Sequence, residues 1–267
     1  MKEKSFYKSI ILHIPHSSTF IPEEVRDQFV LTDEELANEQ LKLVDLYTRE
    51  LFYSNEFPTV EAEVSRLVCD VERFLDPNNE PMSQYGMGAI YIKTLKGLPL
   101  RRELFEEEKK SLLERYYHQH RAKVEKRVEE ALDDSSIAVI VDCHSFPSEP
   151  FPYEKPSRFK RPDICIGADF SHHTAEWLRN LTRQHFSKLG YSVLFNDPFK
   201  GCYIPTNYYK KDKGVFGVML ELNRSLYMDE ISGEKTKGYS TLKTHIQEYY
   251  IKLKEYVDKL IIKPKEG

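Results

Sequence analysis

At 267 residues the chain is long enough for one large core or two domains, and 40% hydrophobic with 31% charged residues excludes disorder as its organising principle. A formal net charge of −4 gives no general attraction for nucleic acid or an anionic bilayer. No segment approaches the roughly 18–20 apolar residues that span a membrane, and no cleavable apolar region opens the chain, so a cytoplasmic, non-membrane protein is expected. Cys69, Cys143, Cys165 and Cys202 are too few and too dispersed for a disulfide framework or a structural zinc site.

The first apolar run, Ile10–Ile14, reads as a strand and delivers His16 through Pro15 to a Ser17–Ser18 turn. Thr32 with Glu35 forms a capping box, opening a helix that carries Leu36, Leu43, Val44, Tyr47 and Leu51 and presents Asp45 near its middle. Thr59–Val64 and Leu67–Val71 look strand-like, and Ala89–Ile92 follows the Gly86–Met87–Gly88 punctuation as another short strand. Arg101–Leu132 is charged and helical, as one long helix or two joined by a kink. Ile137–Val141 is a continuous apolar strand of the kind covered on both faces, and it runs into Asp142–Cys143–His144–Ser145, the grammar already met at His16. A proline-rich loop spans Ser148–Pro162. Short strands follow at Asp163–Gly167, Tyr191–Phe195 and Phe216–Leu222, with a helix over Thr174–Leu189 between the first two and a closing helix over Leu242–Ile261. The alternation predicts one α/β domain over residues 1–267, with a mixed central sheet flanked by helices.

Two apolar strands that each end in His-Ser place His16 and His144 together at the C-terminal edge of one sheet, where open α/β folds put their chemistry. Catalytic zinc takes three protein ligands and keeps an open position, which makes these histidines candidate ligands; loop capping by His16 and pairing of His144 with Asp142 are the plainer readings. A third ligand is sought among Asp45, Asp70 and Glu221. Asp45 lies between Leu43–Val44 and Leu46–Tyr47, where an unpaired charge is costly, so coordination or an arginine partner is expected. Glu221 ends an apolar strand close to Arg224, a setting for a general base or for a buried ion pair.

Arg66, Arg73 and Arg224 each adjoin an apolar stretch, and bidentate guanidinium groups suit a substrate carboxylate or a developing oxyanion. Arg102 is a weaker candidate of the same kind, and the set predicts an anionic substrate. His13 is read as a core or supporting imidazole, while His118, His120, His172, His173, His185 and His245 are read as structural or surface residues. The sequence contains no G-x-G-x-x-G, Walker, H-E-x-x-H or G-x-S-x-G pattern. Ser17, Ser18 and Ser145 therefore read as turn formers or ligand-side donors, and Cys143 points away from its neighbour His144 on a strand.

Ile14–Pro15–His16–Ser17, the run Ser65–Arg66–Leu67–Val68–Cys69–Asp70–Val71–Glu72–Arg73, Asp142–Cys143–His144–Ser145–Phe146–Pro147, and Glu221–Leu222–Asn223–Arg224 with Leu226–Tyr227–Met228 together resemble the N-formylglutamate amidohydrolase family. The resemblance implies a fold similar to the zinc carboxypeptidases (phosphorylase/hydrolase-like) and one zinc ion per chain, held by His16, Asp45 and His144. It implies Glu221 as the base and places Arg66, Arg73 and Arg224 where the family binds substrate or stabilises an oxyanion. The loop from Asn196 to Ile204 resembles the family's substrate-side loop, which makes Asn196 a substrate-binding candidate. Two departures stand out: Glu72 replaces a usual asparagine with a charge expected to repel a substrate carboxylate, and Cys202 stands where a second glycine is common. The implied reaction is hydrolysis of a small anionic N-formyl or N-acyl amino acid, N-formylglutamate being one such substrate. A metallo-carboxypeptidase, a muropeptide amidase and a non-catalytic metal- or partner-binding protein are the alternatives.

Overall fold

In the computed structural model, which describes residues 7–154 and 160–262, six strands make one mixed sheet. They are β1 (Ile10–Ile14), β2 (Thr59–Glu61), β3 (Ala138–Phe146), β4 (Ile164–Gly167), β5 (Val193–Phe195) and β6 (Val215–Asn223), in the order β2-β1-β3-β6-β4-β5. Only the β4–β6 pair is antiparallel. β1 and β3 are buried along their whole lengths because helices cover both faces. On one face α4 (Gln119–Ser135) packs Val128 and Ala131 against Ile11, Ala138, Ile140 and Val215. On the other, α5 (Glu176–Lys188) and α6 (Gly238–Ile262) set Leu178, Phe186, Leu242, Ile246, Tyr249 and Leu253 against Leu12, Val141, Cys143 and Leu220.

The apolar run at Ile137–Val141 extends further as a strand than its hydrophobicity shows, because β6 pairs with all nine residues of β3. Asp142 and His144 therefore share the α4 face with Ile140, and Cys143 faces the α5/α6 side. No helix among the described residues is long and apolar enough to cross a membrane.

Four expected elements differ. The capping box of Thr32 and Glu35 is present, but α1 (Asp33–Leu43) stops before Asp45. Val44 is extended, the Asp45 N–H donates to the His16 carbonyl at 2.9 Å, and Tyr47 takes a φ of 67° before the short α2 (Thr48–Leu51) begins. Asp45 thus occupies a break between helices. Leu67–Val71 is a turn and Ala89–Ile92 holds only an isolated bridge from Met87 to Tyr91. Leu67, Val68, Cys69, Ala89 and Tyr91 are buried in a separate cluster with Val25, Leu36, Leu100 and Tyr117, which explains the hydrophobicity without sheet pairing. The long charged helix begins later than expected, as α3 (Glu106–Leu112), and joins α4 through a π-helical stretch over Leu113–His118. That wider turn is the kink.

Candidate metal centre

At the C-terminal edge of β1 and β3, three donor atoms converge. Nδ1 of His16 lies 3.3 Å from Nδ1 of His144, and Oδ2 of Asp45 lies 3.3 Å from His144 Nδ1 and 3.7 Å from His16 Nδ1. Four-coordinate zinc with ligands near 2.1 Å needs donors roughly 3.4 Å apart, and this triangle fits it. The other ring nitrogens face buried carboxylates: His16 Nε2 lies 2.9 Å from Asp70 Oδ1, and His144 Nε2 lies 3.0 Å from Asp142 Oδ1. A hydrogen on each Nε2 leaves both Nδ1 lone pairs turned to one point, the arrangement by which carboxylates orient metal-binding histidines. The residues form a candidate metal-binding cluster.

The electrostatics agree with a cation at that point. Burial works against a charged His144, yet Glu72, Asp142 and Asp45 raise its pKa well above the ordinary value. For His16, burial and Arg66 oppose the charged ring, while Asp70 and Asp45 outweigh them and raise its pKa. Burial opposes ionisation of Asp45, but His144, His16 and Arg224 hold it well below the usual carboxylate range. The field that draws protons to the two rings in the metal-free protein favours a divalent ion by the same Coulombic attraction.

Glu221 is the register partner of His144 across the β3–β6 pair, on the same face of the sheet. Burial, with Asp45 and Asp142 nearby, pushes its carboxyl up to about 8 against the opposing pull of His144 and Arg224, and its Oε2 is buried without a partner. Arg224 is 3% exposed and donates to Asp45 Oδ1, Ser145 Oγ and the Lys42 carbonyl. Arg66 donates to Asp70 Oδ2 through Nε and Nη2 and to the Leu43 carbonyl. Arg73 differs: its Nε comes within 3.4 Å of Asp70 Oδ2 but makes no hydrogen bond.

Ser145 spends its hydroxyl on Arg224, and both ends of the Asn196 amide are taken by the backbone of Ala168 and Gly201. Asn196, with φ at 53°, holds the loop after β5 in shape. That loop lies close over β6, since a Cβ on Gly217 would meet Ile204 Cδ1 at 2.6 Å. Arg102 pairs with Glu108 and Asp27 away from the centre.

Glu72 departs from its expected place toward the substrate. Its carboxylate oxygens lie 3.5 Å from His13 Nδ1, 3.5 Å from His16 Nε2 and 3.4 Å from His144 Nε2. Three imidazoles therefore surround the charge. Sequence reasoning also set aside His120, which extends the inward stripe of Val124, Val128 and Ala131 on α4 and reaches His13. Its spacing of four residues from Val124 was the available signal.

Comparison with known proteins extends these observations. The family model described as N-formylglutamate amidohydrolase matches residues 8–228. The N-formylglutamate deformylases of Pseudomonas putida and Pseudomonas aeruginosa are each 28% identical, over 232 and 229 residues, with 83% of this chain and 82% of each relative covered. The crystal structure of N-formylglutamate amidohydrolase from Ralstonia eutropha shares the fold with a TM-score of 0.83 at 22% identity, covering 94% of each chain. A gene product of Agrobacterium tumefaciens matches with a TM-score of 0.61 at 19% identity, over 93% of this chain and 91% of its own. His16, Asp45, Asp70, His144 and Glu221 all fall inside the span matched by the family model, and the chain belongs to the N-formylglutamate amidohydrolase family.

Proposed function

We propose that this protein is a cytoplasmic, zinc-dependent amidohydrolase that cleaves the amide of a small anionic N-formyl or N-acyl amino acid, N-formylglutamate among them, with one zinc per chain. The observation that carries the reading is the convergence of His16 Nδ1, His144 Nδ1 and Asp45 Oδ2, beside a buried Glu221 whose Oε2 has no partner. A carboxypeptidase-like architecture, implied by the family resemblance for this mixed sheet, belongs to the same proposal.

His16, Asp45 and His144 would hold the zinc, which when bound supplies Lewis acidity for activating water and polarising the amide carbonyl. Glu221 accepts the proton of the attacking water and returns it to the leaving amine. A carboxyl pushed up to about 8 by its surroundings exchanges protons near neutral pH, as that task needs. Asp70 and Asp142 keep the two rings in the tautomer that presents Nδ1. Arg66 and Arg224 are held by Asp70 and Asp45. They act by setting the charge of the site, and Arg66 lies where the resemblance places support for the oxyanion. Arg73, whose side chain is one quarter exposed, is the guanidinium assigned to the substrate carboxylate.

Metal analysis and hydrolysis of paired free-acid and amide forms of N-formyl and N-acyl amino acids test the reading. The expected result is one zinc per chain and a free-acid preference of about thirtyfold in kcat/KM, equivalent to about 2 kcal/mol for a charge-assisted contact. Zinc-replete protein that hydrolyses none of these compounds would overturn it.

A further inference from the structure

A cavity of about 920 Å³ opens beside the segment Gly86–Ile92, and none of His16, Asp45, Arg73, His144 or Glu221 lines it. Its volume is in the range that takes a small organic ligand. Phe74, Leu75, Ile90, Ile92, Leu104 and Leu113 give it an apolar wall, and Phe74, Leu75 and Ile92 are exposed there. The charged residues around it are Lys93, Arg101, Arg102, Lys109 and Lys110 against Glu103, Glu106 and Glu114, an excess of cations on a chain whose net charge is −4. Arg102 and Lys109 are paired, with Glu108 and Glu106. Arg101 is not. It is 4% exposed, its guanidinium donates only to the Gln28 side chain and to the carbonyls of Leu67 and Val68, and its Nε is buried without a partner. The Phe29 ring lies 4.6 Å from its Cζ, and it makes no ion pair among the described residues. Burial pushes its pKa down to about 10 despite Cys69 and Glu108, which still leaves the group charged at neutral pH. Carbonyls and a ring face hold the side chain in place but leave its charge unmatched, and a buried charge without a counter-ion is costly.

We propose that this cavity binds an amphipathic organic carboxylate, whose charged end neutralises Arg101 and whose apolar body covers Phe74, Leu75 and Ile92. Such a ligand answers both observations. A neutral apolar molecule would leave the guanidinium without a counter-ion, and a small inorganic anion would leave the apolar wall in water. The charge is also recessed, with Arg101 buried while Phe74, Leu75 and Ile92 are open to solvent. A slender acyl chain enters such a recess, whereas the flat surface of a second copy of the chain would cover the exposed side chains and leave Arg101 unpaired. The site uses no residue of the metal centre, so it stands with or without bound zinc.

The test is titration calorimetry with octanoate and with octanamide, on the protein as purified and after chelation of metal. Octanoate is expected to bind one per chain in both forms, about tenfold or more tighter than octanamide. Arg101→Gln keeps an N–H for the Leu67 and Val68 carbonyls but removes the charge, and it should bring octanoate down to the affinity of octanamide. Ile92→Glu, at an exposed position of the wall, should weaken both ligands about tenfold, and it carries the test together with the acid–amide difference where Arg101→Gln does not fold. Equal affinity for acid and amide overturns the proposal, as does an acid preference that survives Arg101→Gln. Octanoate binding that disappears on chelation would place the ligand at the metal centre instead. Wild type that takes up no octanoate and sediments as a dimer, which Ile92→Glu dissociates, would give the face to a second copy.

Discussion

Arg224 donates through Nη2 to Asp45 Oδ1 at 3.0 Å, which turns the other carboxylate oxygen toward the two histidine Nδ1 atoms. Both side chains are 3% exposed, so neither charge has water to fall back on. Arg224→Met should cost about 3 kcal/mol in denaturant unfolding of the metal-free protein, because it leaves the buried Asp45 without its guanidinium partner. Zinc affinity should fall with it. A variant of unchanged stability that shows only a raised KM would return Arg224 to substrate binding.

Glu221→Gln should keep nearly full zinc content and lose most turnover, since the proton acceptor goes while the three donors stay. Equal zinc loss in Glu221→Gln and His144→Ala would make Glu221 a ligand.

The same residue gives a pH signature without metal. Burial lifts the Glu221 carboxyl from 4.5 to about 8, so the folded state binds a proton that the unfolded state releases between those values. The stabilisation from this group is fully present below 4.5 and is lost as pH rises through about 8. Metal-free wild type should therefore lose stability relative to Glu221→Gln across that window and run parallel to it above. An opposite slope in urea melts would show that the carboxyl is ionised in the fold.

Glu72→Asn is predicted to weaken zinc retention about tenfold, because its carboxylate lies within 3.5 Å of the Nε2 atoms of both proposed ligands. KM for a free-acid substrate should stay near wild type. A marked fall in KM would mean that the charge meets the substrate after all.

Ser136 ends α4 with φ at 60°, in the left-handed region that suits glycine. Ser136→Gly should stabilise the protein by about 0.5–1 kcal/mol in thermal unfolding, and a lower Tm would contradict that account of the helix end.

The histidines and Glu221 were legible because strand ends announce themselves: an apolar run stops and a polar side chain follows. Asp45 was legible as a charge among apolar residues, but its break in the helix depends on the His16 carbonyl, a partner far away in sequence. Leu67–Val71 looked like a strand because burial in a separate cluster writes the same continuous hydrophobicity as burial in a sheet. The strand opening at Ile137 looked as if it ended in His144–Ser145, since only the pairing with β6 shows it running on to Phe146. The place of Glu72 required three rings from separate segments and had no local signature.

His16 and His144 stand on or just beyond strands of the sheet, whereas Asp45 comes from the break after α1, whose Leu36 and Leu43 pack with Val25 and Val64 in a separate cluster. Bound zinc would therefore pin that cluster to the sheet through Asp45. Chelation should loosen that joint before it melts the sheet: amide hydrogen exchange should quicken first at Asp45 and Thr48, while Val139–Val141 stay protected to the limit of global unfolding. A metal-free chain would then breathe at one seam long before it unfolds.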